Sequence, residues 1–273
     1  MCPKPIESKF SRKFIIITDL DDTLLDENYS PKKAMPTIKK LNKANVPIIF
    51  CSAKTKEEQE VIREQLNINH PFIVENGSAI YIPKKYFGRA VGNLRDKYEI
   101  IVLGVKVEEI YREIEKLRKK YKIISYHYMK PEELSKIVHL DIEAAKRAMH
   151  REFGETIIEA DEEALKKLKR KFNVVKGGRF TQVFGKSADK GKAARILINL
   201  YKEKFGKVIS VGLGNSYNDE PMLKVVDIPI LVKNPDNTWA NLKIKNLRKI
   251  DGIGPEGWKK AVEEIVFKKT NLF

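Results

Sequence analysis

The sequence has few of the residues that cross-link small proteins or hold structural metals. Its 273 residues include two cysteines and four histidines. Two cysteines do not make a disulfide framework, and Cys51, at the end of an apolar strand, is expected to be a buried thiol. The positions of His127, His139 and His150 lack the spacing of a zinc site. The chain therefore has to be held together by an ordinary hydrophobic core, which a protein of this length can build.

Long apolar segments are also missing from the sequence. No run approaches the roughly 18 apolar residues that suggest a membrane-spanning helix. The first ten residues contain lysine and proline but lack the apolar stretch of a signal peptide. We therefore expect no membrane association and a cytoplasmic location.

Positive charge, in contrast, is abundant. Lysine and arginine number 53 against 37 acidic residues, which gives a formal net charge of +16. Such a balance favours anionic partners, either phosphorylated small molecules or nucleic acid. The basic residues concentrate in helix-like segments such as 112–120 and 166–171, without interleaved aromatic residues, so nucleic acid is not expected. Many charged residues with few glutamines and cysteines are typical of thermophilic proteins.

Two carboxylates follow the first apolar run of the chain. Phe14–Ile17 has the length and branching of a buried strand, and Asp19 and Asp21 come directly after it. Like charges near a core require a cation between them. Because ligands of a parallel sheet bind where its strands end, this stretch is a candidate active site. Asp22 is interpreted as a turn residue.

The surrounding pattern predicts an α/β fold with a Rossmann-like parallel-sheet core. Strands are predicted at 14–18, 47–51 and 71–74, with a helix opening at Ser30-Pro31, a helix at 56–67, and a hairpin turn at Asn76-Gly77. After Ser187 the pattern resumes with a helix from Asp189, strands at 208–212 and 228–232, and helices at 219–226 and 255–267.

The middle of the chain shows a different pattern of predicted strands and helices. It predicts strands at 99–103, 122–126, 155–158, 173–176 and 179–184. It also predicts helices at 106–120, 132–150 and 161–171, with a hairpin turn at Gly177-Gly178. We interpret 84–186 as an inserted α+β cap domain with a mostly antiparallel sheet, and 1–83 plus 187–273 as the core domain.

Four motifs in order resemble those of the haloacid dehalogenase-like phosphotransferases. They are Asp19-x-Asp21-x-Thr23, Ser52 at the end of the second strand, Lys190 at a helix start, and Gly214-Asn215-Ser216-Tyr217-Asn218-Asp219. The resemblance implies that Asp19 is the nucleophile and Asp21 the general acid and base. It further implies that Ser52 binds a phosphoryl oxygen and that Lys190 steadies nucleophile and phosphate. These roles meet the needs of phosphoester cleavage.

The resemblance also implies a Mg²⁺ site formed by Asp19, Asp21, Asn215 and Asp219. The family has an acidic residue at the position of Asn215, so this chain departs from its pattern. An amide oxygen can bind Mg²⁺ but brings no charge. We therefore expect weaker metal binding, or compensation by Asp219.

Several strings are similar to those of mannosyl-3-phosphoglycerate phosphatases, among them 52–55, 75–80, 178–180, 189–193 and 218–222. The similarity implies hydrolysis of mannosyl-3-phosphoglycerate to mannosylglycerate, a compatible solute. A substrate with a phosphate and a carboxylate suits a cationic cap, and Arg179 can bind the carboxylate in a bidentate way. The predicted substrate-binding residues are Ser52, Lys54, Glu75, Asn76, Arg179, Lys190 and Asn218.

Several alternatives stay open. The same chemistry can act on glucosyl-3-phosphoglycerate, sucrose phosphate, phosphoglycolate or a phosphohexose, and a phosphomutase shares the nucleophile and the cap. Asn215 also raises the alternative of a catalytically impaired binding protein. The expected assembly is a monomer or a homodimer.

Overall fold

The computed structural model of the protein describes residues 13–177 and 179–268. The sequence pattern predicts a short polar lead-in over residues 1–13, and residues 1–12 of it, which include Cys2, lie outside these ranges. Gly178 of the predicted hairpin turn also lies outside them. No helix in the described ranges is long and apolar enough to cross a membrane. The elements up to residue 102 are β1 (Lys13–Thr18), α1 (Met35–Lys43), β2 (Ile48–Phe50), α2 (Lys56–Gln65), β3 (Phe72–Val74), β4 (Ala79–Pro83), β5 (Asn93–Arg95) and β6 (Tyr98–Val102).

Two further groups of elements complete the chain. The first comprises α3 (Val107–Arg118), β7 (Ile123–Ser125), α4 (Pro131–Val138), α5 (Ile142–Met149), β8 (Gly154–Ala160), α6 (Glu162–Lys171), β9 (Phe172–Lys176) and β10 (Thr181–Gly185). The second comprises α7 (Lys190–Phe205), β11 (Val208–Gly214), α8 (Glu220–Leu223), β12 (Ile228–Lys233), β13 (Arg248–Ile253) and α9 (Gly254–Val262).

A parallel sheet in the order β13-β12-β11-β1-β2 forms the centre of the protein. Successive residues of β1 enter two different hydrophobic clusters: Phe14 and Ile16 pack with Trp258 of α9, and Ile15 and Ile17 pack with Leu197 of α7. Alternate side chains of a strand point to opposite faces, so helices cover both faces of this sheet. The predicted α/β core is thereby confirmed.

A second sheet continues from the edge of the parallel one. The order is β3-β4-β6-β5, and all its pairings are antiparallel. A parallel bridge between Cys51 and Ile73 joins the two sheets. The predicted hairpin after Asn76 exists, and Cys51 is a buried free thiol, as expected.

The third sheet, β7-β8-β10-β9, is entirely antiparallel. Helices α3 and α6 cover one face through a cluster that includes Ile114, Leu168 and Val183. Helices α4 and α5 form a second small cluster with Tyr126 and Phe180. This α+β unit stands over the carboxyl-terminal edge of the parallel sheet.

The prediction of one helix at 132–150 was wrong, because two helices occupy this segment. The backbone of His139 is left-handed, with φ of 58°, which ends α4. The Asp141 carboxylate then accepts a hydrogen bond from the Ala144 amide and caps α5.

Two other boundaries differ from the sequence pattern. Helix α1 begins at Met35 rather than Pro31, because residues 31–34 form a turn and Pro36 occupies the first helical turn. Strands β5 and β13 were missed because their residues are mostly exposed and lack an apolar alternation.

Candidate active site

A cavity of about 500 Å³ lies between the parallel sheet and the third sheet. The ends of β1, β2 and β11 form its floor. The core contributes Asp19, Asp21, Ser52, Lys54, Asn215 and Asn218, and the other side contributes Tyr126, Arg151, Thr156, Arg179 and Gln182. The two carboxylates found from the sequence thus open into a space large enough for a small phosphorylated molecule.

A buried lysine joins two carboxylates beneath this cavity. Lys190 Nζ lies 2.7 Å from Asp19 Oδ1 and 2.7 Å from Asp219 Oδ1. All three side chains are at most 7% exposed. The second oxygen of Asp219 accepts hydrogen bonds from the amides of Asn215 and Ser216. Sequence motifs that are 171 residues apart therefore form one charged cluster.

The cluster leaves the Asp19 carboxylate poorly stabilised. Burial raises its pKa to about 7, and repulsion from Asp219 adds to this, while Lys190 opposes both. Burial alone would lower the pKa of Lys190, but the two carboxylates outweigh it and hold that pKa above its ordinary value. Two buried anions share one cation, so a further cation beside Asp19 would complete the charge balance.

Glycine is required where the fourth motif bends back toward Asp219. A Cβ at Gly214 would come within 2.6 Å of the Asp219 side chain. The next residue, Asn215, is buried and has both ends of its amide occupied. Its Oδ1 accepts from the Thr23 hydroxyl at 3.0 Å, and its Nδ2 donates to Asn234 Oδ1 at 2.8 Å. The amide oxygen is thus held at the cavity floor.

The donor set around Asp19 is suited to a hard cation but carries little charge. Within residues 13–177 and 179–268, no three acidic, histidine or cysteine side chains are grouped as metal ligands. Asn215 supplies an amide where a third carboxylate would otherwise stand. The remaining donors are carboxylate, amide and backbone oxygens, which are the ligands that Mg²⁺ prefers. The residues fit a Mg²⁺ site.

Asp21 is paired with a cation from the neighbouring strand end. Lys54 Nζ lies 3.1 Å from Asp21 Oδ1 and 3.3 Å from Glu58 Oε1. Burial opposes the charge of Lys54, but Asp21 and Glu58 keep its pKa above the ordinary value. The ring of Tyr29 packs against the same ammonium group, 4.7 Å from the ring centroid. Asp21 is therefore held at the cavity wall by a fixed positive charge.

The segment Ser52–Thr55 forms a tight loop between β2 and α2. Ser52 is buried at the floor of the cavity, and its Oγ accepts from the Lys54 amide at 3.3 Å. Thr55 caps α2 in a reciprocal arrangement with Glu58. The loop thus presents a hydroxyl at the end of β2, next to the Asp19 cluster.

Comparison with known proteins agrees with this geometry. The family model of haloacid dehalogenase-like hydrolases matches residues 16–243. The chain belongs to this family. The predicted resemblance is confirmed, as is the predicted α/β fold class with a parallel-sheet core.

Named relatives extend over most of the chain. A mannosyl-3-phosphoglycerate phosphatase from Pyrococcus furiosus is 44% identical over 221 residues, which cover 80% of this chain and 90% of the relative. A glucosyl-3-phosphoglycerate/mannosyl-3-phosphoglycerate phosphatase from Methanococcoides burtonii is 39% identical over 272 residues, covering 95% and 100%. A relative of the same double name from Persephonella marina is 39% identical over 260 residues, covering 92% and 97%.

Solved structures share the fold at low sequence identity. A Thermoplasma acidophilum protein gives a TM-score of 0.69 at 17% identity, covering 96% of this chain and 100% of that one. A phosphatase of the haloacid dehalogenase superfamily from Bacteroides thetaiotaomicron gives 0.65 at 15% identity, covering 99% of each chain. Both likenesses concern the fold alone.

The seven predicted substrate-binding residues of this family member fall into three groups, one of which is Lys190, bound to Asp19 and Asp219 beneath the cavity. Ser52, Lys54, Asn218 and Arg179 line the cavity. The guanidinium of Arg179 is exposed and donates to the Ile137 carbonyl at 2.8 Å, which fixes it at the cavity rim.

Glu75 and Asn76 are placed differently. Neither residue lines the cavity, and both are buried. The two carboxylate oxygens of Glu75 accept the amides of Glu152 and Phe153, each at 3.0 Å. These contacts occupy the Glu75 carboxylate, one of the two groups that were predicted to bind sugar hydroxyls.

Several cavity residues were not found from the sequence. Thr156 and Gln182 are cross-strand neighbours on β8 and β10, and their side chains hydrogen-bond at 3.2 Å. Neither position stands out in its predicted strand, because another polar residue precedes each of them, Glu155 and Thr181. Arg151 and Tyr29 lie in connecting segments, where no periodic pattern marks the direction of a side chain.

Proposed function

We propose that this protein hydrolyses a glycosyl-3-phosphoglycerate, with mannosyl-3-phosphoglycerate as the leading substrate, and releases phosphate and the glycosylglycerate. The Asp19–Lys190–Asp219 cluster is the observation that supports this proposal most directly. It places one carboxylate at the floor of a cavity with a neutralising ammonium group beside it. A carboxylate can approach a phosphate only when such positive charge offsets their repulsion.

The proposed reaction has two steps that use the same two aspartates. In the first, Asp19 attacks phosphorus, the bond from phosphorus to the glycerate oxygen breaks, and Asp21 gives a proton to that oxygen. In the second, Asp21 takes a proton from water as the water attacks the aspartyl phosphate, which frees phosphate and restores Asp19. Ser52 and Lys190 hold phosphoryl oxygens in both steps.

Phosphatases of this family generally use Mg²⁺. In the proposed site it would be held by Asp19, the backbone carbonyl of Asp21 and the amide oxygen of Asn215, with Asp219 acting through water. Asp219 is assigned the water-mediated contact because both its oxygens already have partners. The ion would supply positive charge next to the phosphate.

Glucosyl-3-phosphoglycerate is the second candidate substrate. The relatives from Methanococcoides burtonii and Persephonella marina carry both substrates in their names. The two sugars differ in the orientation of one hydroxyl group. The polar pair Thr156 and Gln182 on the far wall of the cavity can accept or donate hydrogen bonds to either sugar.

The test is phosphate release from a panel of esters at equal concentration with Mg²⁺. The panel comprises mannosyl-3-phosphoglycerate, glucosyl-3-phosphoglycerate, sucrose phosphate, phosphoglycolate and a phosphohexose. We expect kcat/KM to be highest for one or both glycosyl-3-phosphoglycerates and to be abolished in Asp19→Asn. Equal rates on all five esters would contradict the substrate assignment.

A matched control addresses the mechanism itself. Asp96 is an exposed aspartate in the turn between β5 and β6, outside the cavity. Asp96→Asn removes the same charge and should keep full activity. Turnover that survives in Asp19→Asn would contradict the proposed nucleophile.

A further inference from the structure

Three successive carbonyl groups of the Ser52–Lys54 loop are each held from outside the loop. The Ser52 carbonyl accepts the Asn76 amide at 3.0 Å, and the Lys54 carbonyl accepts the Glu75 amide at 3.2 Å. The middle carbonyl, that of Ala53, accepts Arg151 Nη2 at 2.9 Å. The Lys54 carbonyl also accepts Gln59 Nε2 of α2 at 3.1 Å. Three of the four donors therefore belong to the core, and the fourth is a side chain from the segment that leads into β8.

The two backbone donors depend on a strained turn. Glu75, Asn76 and Gly77 are all left-handed, with φ of 47°, 59° and 90°. A Cβ at Gly77 would lie 2.2 Å from the Asp189 carbonyl oxygen, so the turn also packs against the start of α7. Non-glycine residues adopt this conformation at a cost, and such strain is concentrated at functional sites. Here the strain points two amides at the Ser52–Lys54 loop.

The anchored carbonyls determine where the loop amides point. In a planar trans peptide the C=O of one residue and the N–H of the next point in opposite directions. Holding the Ala53 carbonyl against Arg151 therefore turns the Lys54 amide the other way, onto Ser52 Oγ. The contacts form a continuous path from the Arg151 guanidinium to the Ser52 hydroxyl.

Arg151 is itself firmly fixed between the two halves of the protein. Its side chain is 4% exposed, its Nε donates to the Gly154 carbonyl at 3.2 Å, and it lies 3.8 Å from Glu75 Oε2. Glu75 in turn accepts the amides of the two residues that follow Arg151. The guanidinium thus spans the junction of the core and the third sheet.

The electrostatic surroundings argue against direct substrate binding by Arg151. Burial opposes its charge, but Glu75, Glu155 and Glu58 together keep its pKa above the ordinary value. A cation already compensated by three carboxylates attracts a further anion weakly. Its two donors with assigned partners hold backbone carbonyls, which is a positioning role.

We propose that Arg151 is a positioning residue that couples the α+β unit to the Ser52–Lys54 loop. It does so by fixing the Ala53 peptide and, through that peptide, the Ser52 hydroxyl. This inference rests on the proposed function, because it assigns Ser52 to a phosphoryl oxygen. It predicts that loss of the Arg151 contacts lowers the turnover of any phosphate ester, including one that carries no sugar. Misplacement of a catalytic group by about 1 Å can cost about 100-fold in rate.

The experiment compares Arg151→Met and Arg151→Lys with the matched control Arg95→Met. Arg95 joins the same junction through Glu152 and Tyr81 but does not touch the Ser52–Lys54 loop. We expect both Arg151 variants to lower kcat on p-nitrophenyl phosphate by about 10- to 100-fold, while Arg95→Met stays within about twofold. Lysine keeps the charge but loses the fork that reaches two carbonyls.

A second readout does not depend on activity. Hydrogen–deuterium exchange is measured on the peptide that contains Ser52–Lys54, in the wild type and each variant. We expect faster exchange in this peptide for the Arg151 variants and unchanged exchange for Arg95→Met. If Arg151→Met does not fold, Arg151→Lys decides both readouts.

Three outcomes would overturn the inference. A loss confined to mannosyl-3-phosphoglycerate, with p-nitrophenyl phosphate turnover intact, would make Arg151 a substrate contact. A lower Tm with unchanged kinetics and exchange would leave it a purely structural residue. Unchanged exchange at Ser52–Lys54 in the Arg151 variants would contradict the proposed path from Arg151 to Ser52, whatever the activity of the wild type. A wild type that hydrolyses none of the esters would instead refute the proposed function.

Discussion

The buried Asp19 carboxylate should make the stability of the metal-free protein depend on pH. Its pKa is raised from an ordinary value of 3.8 to about 7, chiefly by burial and next by repulsion from Asp219. Between these two values the folded protein binds one proton that the unfolded chain has released. The stabilising contribution is therefore fully present below pH 3.8 and is lost as the pH rises to 7.

The size of the effect follows from the shift. Each pH unit between the two pKa values changes the free energy of unfolding by about 1.4 kcal/mol. About two of the three pH units between pH 5 and pH 8 lie below the raised pKa. Ionisation of Asp19 should therefore lower the free energy of unfolding by about 3 kcal/mol over this range. For a protein of this size, that corresponds to a Tm difference of roughly 5 to 6 °C.

The assay is thermal unfolding in EDTA at pH 5 and pH 8 for the wild type, Asp19→Asn and Asp96→Asn. Asparagine does not titrate, so the Tm of Asp19→Asn relative to wild type should rise by about 5 to 6 °C from pH 5 to pH 8. Other raised groups, such as Glu155, are common to all three proteins and cancel in the difference. Asp96→Asn should show a constant offset. A pH-independent offset for Asp19→Asn would refute the reasoning.

Three further predictions concern other residues of the site. Asn215→Asp adds a carboxylate and should tighten Mg²⁺ binding by about 10-fold, or about 1.4 kcal/mol, in calorimetric titration; unchanged affinity would mean that Asn215 is not a ligand. Lys190→Met leaves two buried carboxylates without their cation and should cost about 3–5 kcal/mol in urea unfolding at pH 8; a loss below about 1 kcal/mol would contradict the cluster. Arg179→Met should raise KM for mannosyl-3-phosphoglycerate and spare p-nitrophenyl phosphate; equal effects on both would exclude a role in binding the glycerate.

The sequence predicted the residues whose positions follow from strand ends. Asp19, Ser52 and Asn215 each come directly after an apolar strand, and parallel strands bring their carboxyl ends to one edge. Their convergence could therefore be expected from the strand pattern. The pairing of Lys190 with both Asp19 and Asp219 follows from the same topology, because α7 begins beside that edge.

The junction between the core and the α+β unit could not be predicted in the same way. Arg151 lies in a connecting segment, and its partner is a backbone carbonyl, which no side-chain pattern reveals. Glu75 and Asn76 were expected to bind sugar hydroxyls because they lie where the core meets the cap. Their left-handed backbone instead aims their amides at the Ser52–Lys54 loop, a direction that depends on tertiary packing.

Local conformation accounts for the remaining differences. The segment 132–150 has helical periodicity throughout, but His139 adopts a left-handed conformation and Asp141 starts a new helix. Strand β13 is an edge strand with exposed side chains, so hydrogen bonding to β12 rather than burial defines it. The periodicity of apolar residues in a sequence indicates which side chains are buried. It therefore predicts little about a strand whose side chains are mostly exposed.

The central claim is that Asp19 becomes phosphorylated during turnover. The most direct measurement is rapid-quench mass spectrometry of the Asp21→Asn variant mixed with p-nitrophenyl phosphate and Mg²⁺, because p-nitrophenolate leaves without a proton from Asp21. Without the base of the second step, this variant should accumulate one phosphoryl group on the peptide that contains Asp19. Phosphate release with no phosphorylated peptide, or a phosphoryl group on another residue, would contradict the account.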